Sequence, residues 1–119
     1  MKFSRVEVIT GISKITALQK ALGKFRITGM TVYQVLGCGG QHGTQEFELE
    51  EKQDIQLLPK EVVMMVLPKE DVPELIEFLK KELYTGHIGD GKIFVSEVTD
   101  IVRVRTGEEG EAALISGEN

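Results

Sequence analysis

The chain opens on an alternation. In Phe3-Ser4-Arg5-Val6-Glu7-Val8-Ile9-Thr10, Val6, Val8 and Thr10 fall on one side of an extended backbone and Arg5, Glu7 and Ile9 on the other. That is the period-two signature of a β-strand. The period then changes. Ile12, Ile15, Leu18, Ala21 and Leu22 recur at spacings of three and four, which predicts an amphipathic helix that Gly23 stops. From Arg26 to Leu36 the residues are again β-branched and aromatic. They read as a second strand, with Gly29 marking a bulge or a close backbone approach inside it.

From Gly37 to about Gln56 no period holds. Gly37-Cys38-Gly39-Gly40-Gln41-His42-Gly43 leads into a stretch carrying Glu46, Glu48, Glu50, Glu51 and Asp54. About twenty patternless residues inside a compact domain point to a functional or disordered loop, here read as mobile and solvent-projecting. A hairpin is the other reading for part of it, because Phe47 and Leu49 alternate with the glutamates. Leu57-Leu58-Pro59-Lys60 then leads into Val62-Val63-Met64-Met65-Val66-Leu67, a continuous apolar run ended by Pro68 and suited to a central strand. Asp71, with Glu74 three residues on, predicts a helix N-cap and capping box. Leu75, Leu79 and Leu83 form one stripe, widened by Ile76, with Lys80 and Lys81 near the negative end of the helix dipole. A glycine-rich turn, a long strand from Ile93 towards Arg105 and a small acidic tail of about 106–119 complete the chain.

The order β-α-β-(long loop)-β-α-β predicts a single α+β domain over 1–119, a ferredoxin-like βαββαβ sheet with both helices on one face. At 119 residues the chain can bury about 65% of its unfolded surface, enough for one core without disulfides or structural metal. The net charge of −5 argues against a general binder of nucleic acid or anionic membrane. The lone cysteine, Cys38, points to a reducing compartment and reads as a small buried residue. No apolar run approaches membrane-spanning length, and the N-terminus lacks a signal-peptide core, so the expectation is a cytoplasmic protein. His42 and His87 are too isolated to form a metal set, and both read as surface residues. Met64 and Met65 read as core strand.

The chemistry concentrates in Thr85-Gly86-His87-Ile88-Gly89-Asp90-Gly91-Lys92. Bare backbone amides closed by one ammonium make a concave anion site, and a polyphosphate is its natural guest. Gly86 to Lys92 fits the first part of a G-x-x-x-x-G-K phosphate loop, but Ile93 stands where that loop needs Ser or Thr, and a strand follows instead of a helix. It is not that loop. By itself such a turn is more often only a turn. Arg103-Val104-Arg105 shifts the balance. In a strand both guanidiniums would share a face, forked cations suited to a nucleotide di- or triphosphate. The plainer alternative pairs these arginines with Glu108 and Glu109.

Four segments carry a resemblance: Ile27-Thr28-Gly29-Met30-Thr31-Val32, Leu58-Pro59-Lys60, Thr85 through Val95, and Arg103-Val104-Arg105-Thr106-Gly107-Glu108-Glu109. Together they closely resemble the PII signal-transduction proteins, nitrogen regulatory protein P-II, from about Arg5 to Ala113. The resemblance implies a homotrimer of ferredoxin-like subunits with an adenine-nucleotide site in each inter-subunit cleft, where ATP and ADP compete. It implies that the loop of about 37–57, the T-loop of that family, changes with the ligand and docks on a transporter or metabolic enzyme. On the matching positions Gly89, Asp90, Gly91 and Lys92 would cradle phosphates, and Arg103 and Arg105 would add charge. Thr31 and Val66 would sit at the adenine, with Gly37, Gly39 and Gly40 nearby. Gln41 stands where the family holds magnesium and 2-oxoglutarate, and Lys60 where it holds a carboxylate.

The departures bear on regulation. Gly11-Ile12-Ser13-Lys14 stands where members carry Lys-Pro-Phe-Lys, and Gly40 where an arginine reaches the phosphates; both count against 2-oxoglutarate. Gln53 replaces the tyrosine that many members have uridylylated, and Glu51 a serine that some have phosphorylated. The alternative within the family is an energy sensor that reads only ATP and ADP and controls a transporter other than the ammonium channel. A small nucleotide hydrolase would need Asp90 as its base, and no nucleophile–base grouping is evident. An RNA-binding sheet is disfavoured by the acidic charge and by only five phenylalanines and two tyrosines.

Overall fold

In a computed structural model the described residues are 2–11, 14–27, 29–38, 57–86 and 91–115. Strand β1 (Phe3–Thr10) is followed by helix α1 (Ile15–Lys24), strand β2 (Thr31–Gly37) and strand β3 (Leu58–Pro68). A 3-10 turn (Lys69–Asp71) leads into helix α2 (Val72–Leu83), strand β4 (Lys92–Val98) and a short helix α3 (Glu111–Ile115). The sheet order is β2-β3-β1-β4 with every neighbouring pair antiparallel. That is the expected split βαβ arrangement. The loop expected at 37–57 lies outside the described residues but for its ends, Gly37, Cys38 and Leu57.

The alternation in β1 sorts the sheet into two faces. Ser4, Val6, Val8 and Thr10 are buried, and the register sets Val6 beside Met65 and Val8 beside Val63. Leu67, Leu75 and Leu79 complete this face of the core with Leu18 and Ala21, all fully buried. Both helices therefore bury their stripes on one sheet face, as the three-and-four spacing requires. At their junction the ring of Phe25 meets Phe78 edge-on, 5.6 Å between centroids, a favoured aromatic geometry.

Neither α1 nor α2 packs on the other face. Ile9, Val62, Met64, Val66 and Phe94 share it with Tyr33 and Val35, because each lies an odd register step from the buried set. Phe94 is 52% and Tyr33 43% exposed. Tyr33 reaches diagonally over β3, and its hydroxyl donates to Glu7 Oε2 at 3.1 Å. The loss of water around the phenol, then its bond to Glu7, holds the Tyr33 pKa above the usual value.

Several boundaries move. Helix α1 runs through Gly23 to Lys24, and β2 begins at Thr31, so Gly29 lies outside the strand with open space around it. Strand β3 takes in both prolines. Pro59 pairs only with β2, past the end of β1, where its missing N–H costs no second ladder. Asp71 takes the expected N-cap position but not the capping role: it has helical dihedrals and makes no capping bond. Its carboxylate instead takes two bonds from Arg26, Nε to Oδ2 at 2.8 Å and Nη2 to Oδ1 at 3.0 Å, while Nη2 also reaches Glu70. A forked guanidinium outbids a backbone amide for a carboxylate. The acidic tail is helical in part, as α3. Cys38 is exposed, not buried, because it follows the last paired residue of the projecting β2–β3 ribbon.

Candidate functional site

Two turns flank β4. At its start stands Gly91 with φ +107°, a left-handed conformation that glycine alone adopts readily. The neighbouring backbone is so close that a β-carbon here would lie 2.0 Å from the Ile9 carbonyl oxygen. Lys92 follows as the first residue of β4, paired in register with Ile9. On the far side of β1, Val62 pairs with Ile9, and Lys60 lies one open-face step further along β3 opposite Val35. Gly37, two residues past Val35, packs with its α-carbon side 3.5 Å from Lys60 Cγ once a β-carbon is added. Gly37, Lys60, Gly91 and Lys92 thus gather at one end of the sheet, on or beside its helix-free face. Lys60 and Lys92 stand at that end on β3 and β4, with β1 between them.

Thr31 and Val66 lie on that same face further down the strands. Thr31 pairs with Met64, the neighbour of Val66 on the face, and Val66 pairs with Arg5. Thr31 is exposed and Val66 half-buried, so an aryl ring laid against the sheet here would meet a hydroxyl and an aliphatic wall. Gly39, Gly40, Gln41, Gly89 and Asp90, together with His42 and His87, lie outside the described residues. No cluster of three or more metal-ligating side chains occurs among the described residues.

Arg103 and Arg105 sit elsewhere. The strand ends at Val98, and residues 104–106 form a turn, so the two arginines do not share a strand face. Val102 forms a single bridge with Glu109 across this turn. The Arg103 side chain is only 9% exposed and pairs with Glu108, Nη1 to Oε1 at 3.4 Å, as the plainer reading had it for that residue. Its Nη2 donates to the Ala113 carbonyl at 2.8 Å. Arg105 is exposed. Lys92 opens β4 whereas the arginines follow its other end, a separation of about 20 Å along the strand. The pattern i, i+2 missed this because two glycines with positive φ, Gly107 at +76° and Gly110 at +65°, turn the chain back.

The helix side holds a further cleft of about 430 Å³ between α2 and the start of β4, lined by Leu79, Lys80, Leu83, Tyr84 and Ile93 among others. Among the described residues no helix is long and apolar enough to cross a membrane.

Comparison with known proteins follows the same outline. The family model of nitrogen regulatory protein P-II matches residues 3–108. Nitrogen regulatory protein GlnK of Escherichia coli K12 is 39% identical over 109 residues, covering 92% of this chain and 97% of that protein. Nitrogen regulatory protein P-II 1 of the same organism is 37% identical over 110 residues, 92% of this chain and 98% of that one. Among solved structures, the GlnK–ATP complex of B. subtilis superposes with a TM-score of 0.78 at 34% identity, covering 95% of this chain and 96% of that one. PII of Arabidopsis thaliana bound to citrate gives 0.73 at 38% identity, covering 94% and 92%.

Proposed function

The chain belongs to the nitrogen regulatory protein P-II family, and from that premise we propose that it is a signalling protein which binds ATP or ADP between subunits and regulates a target protein through the loop of about 37–57. The observation that carries this reading is the division of the anion-binding groups between the two ends of β4. Gly91 and Lys92 lie at one end, and Arg103 and Arg105 follow the other. One chain cannot turn both on the same phosphates. A second copy can, by setting its arginine-bearing segment against the lysine end of its neighbour. The helix-free sheet face, with Phe94 and Tyr33 half exposed, supplies the apolar surface that holds copies together, and a homotrimer closes such a face without leaving an edge.

In this site Gly89, Asp90, Gly91 and Lys92 cradle the phosphates, and the segment of Arg103 and Arg105 adds charge from the neighbouring subunit. Thr31 and Val66 meet the adenine, with Gly37, Gly39 and Gly40 beside it. Gln41 stands where magnesium would be held with ATP, and Gln41 with Lys60 where 2-oxoglutarate would bind. The solved relative with ATP supports the nucleotide. The target is a membrane transporter or a metabolic enzyme, and the acidic loop favours a basic surface on it. Regulation is by binding, with no catalytic step.

Titration calorimetry on the full chain with ATP, with ADP, and with 2-oxoglutarate in the presence of Mg-ATP tests the proposal. Competing ATP and ADP events at one site per chain support it; absence of both refutes it. A further event with 2-oxoglutarate would make the protein a sensor of carbon and nitrogen status, and none would make it a sensor of adenylate energy.

A further inference from the structure

We propose that Arg5, Glu7 and Tyr33 make the sheet face left open by α1 and α2 selective for copies of this chain. Tyr33 aims the Glu7 carboxylate, and that carboxylate accepts from Arg5 of the neighbouring copy. The inference rests on the assembly part of the reading above and names the residues that choose the partner.

The three side chains form one network. Glu7 lies midway along β1, an inner strand of the sheet, and its register partners Met64 and Phe94 are apolar. Arg5 stands two residues away on the same face, about 7 Å along the strand. Each Glu7 oxygen meets one group of this chain: the Tyr33 hydroxyl donates to Oε2 at 3.1 Å, and Arg5 Nε faces Oε1 at 3.4 Å. Tyr33 belongs to β2, so its bond spans the whole width of β3 and fixes where the carboxylate points. The Arg5 contact is long against the roughly 2.7–2.9 Å of a strong charge-assisted bond. It uses Nε alone, and the Arg5 Nη groups have no hydrogen-bond partner among the described residues.

The Arg5 side chain is 46% and that of Glu7 29% exposed, on a face where Phe94 and Tyr33 are also open to water. Covering this face removes water from the pair, and a covered ion pair needs its remaining donors and acceptors filled. A second copy fills them. Every copy carries a donor and an acceptor on this one face, so Arg5 of one copy serves Glu7 of the next until a cyclic assembly closes. Glu7 is the only carboxylate among the strand residues of this face, whose cations include Arg5 and Lys92. A foreign surface without both charges in register leaves one of them covered and unmatched. That is how a polar site within an apolar contact rejects other partners.

The test is native mass spectrometry of subunit mixtures of the full chain. A charge-swapped chain, Arg5→Glu with Glu7→Arg, keeps an ion pair inside each copy but sets like charges against the unaltered chain. Unfolded and refolded together in equal amounts, the two should sort into unmixed assemblies, with mixed ones about tenfold or more below their statistical share. A statistical distribution overturns the proposal. In sedimentation equilibrium Glu7→Gln and Arg5→Gln should each raise the dissociation constant of the assembly by about tenfold or more, and Tyr33→Phe by less. Should the swapped chain fail to fold, these single variants decide, and dissociation constants within about twofold of the unaltered chain overturn the contact. If the unaltered chain is a monomer throughout, the assembly reading fails and this inference with it. An assembled unaltered chain that mixes freely with the swapped one refutes this inference alone.

Discussion

A β-carbon on Gly91 would stand 2.0 Å from the carbonyl oxygen of Ile9. The last residues of β1 and the first of β4 touch backbone to backbone, and the contact fixes where Lys92 begins its strand. Backbone cannot move aside as a flexible side chain does, and φ at Gly91 is +107°. Gly91→Ala should therefore cost about 1–3 kcal/mol or more in unfolding free energy, and should weaken nucleotide binding because the turn must shift. Chemical denaturation and calorimetry on this variant read the two effects; native stability with native affinity would refute the contact.

Lys92 supplies the ammonium of the turn. Lys92→Ala should raise the ATP dissociation constant by about 10- to 100-fold, from the 1.5–3 kcal/mol typical of a hydrogen bond to a charged group. Stability should change little, since the residue is exposed. Affinity within about twofold of the unaltered chain would remove Lys92 from the site.

The open sheet face predicts assembly. Phe94, 52% exposed, pairs in register with Glu7 midway along the edge strand β4 on this face. Phe94→Asp would place a carboxylate in an apolar contact between copies, a cost of several kcal/mol per subunit. Sedimentation equilibrium should show the unaltered chain as a trimer and the variant as a monomer with an unchanged far-ultraviolet spectrum. A variant that stays trimeric would show that the face is not the interface.

Arg26 and Asp71 predict a pH dependence. The bond from Arg26 is the largest influence on Asp71 and holds its carboxyl below the usual carboxylate range. A depressed pKa contributes stability above the unfolded value of about 4 and loses it as pH falls through the folded value. The melting temperature of Arg26→Gln should therefore lie below that of the unaltered chain at neutral pH, and the gap should close below about pH 4. The Arg26 side chain is 47% exposed, so solvent screens the pair and the gap is small. A gap that persists undiminished into acid would mean that Arg26 acts through packing alone.

The core gives the largest stability effect. Leu75 is fully buried in the helix stripe, and Leu75→Ala should cost about 2–5 kcal/mol, read as a lower denaturant midpoint at constant slope. A smaller loss would mean that α2 collapses into the space.

The sequence by itself determined the elements and their order. Val6, Val8 and Thr10 on one side of β1, and Leu75, Leu79 and Leu83 on one side of α2, are buried where their periods placed them. Both periods follow from local backbone geometry, which a short window of residues already contains. The start of β4 was also legible, because Gly91 is the residue type that takes a positive φ ahead of a strand. What only the tertiary structure decided was the choice of partner. Asp71 looked like a cap from its nearest neighbours, but Arg26, 45 residues away in sequence, takes its carboxylate. Arg103 and Arg105 looked alike at i and i+2, yet a glycine turn and the approach of Ala113 send one inward and leave the other outside. Cys38 looked like a small core residue and lies exposed at the end of a projecting ribbon. A polar side chain bonds whatever donor or acceptor the fold carries to it, and that neighbour is set by packing between distant segments, which no local period records.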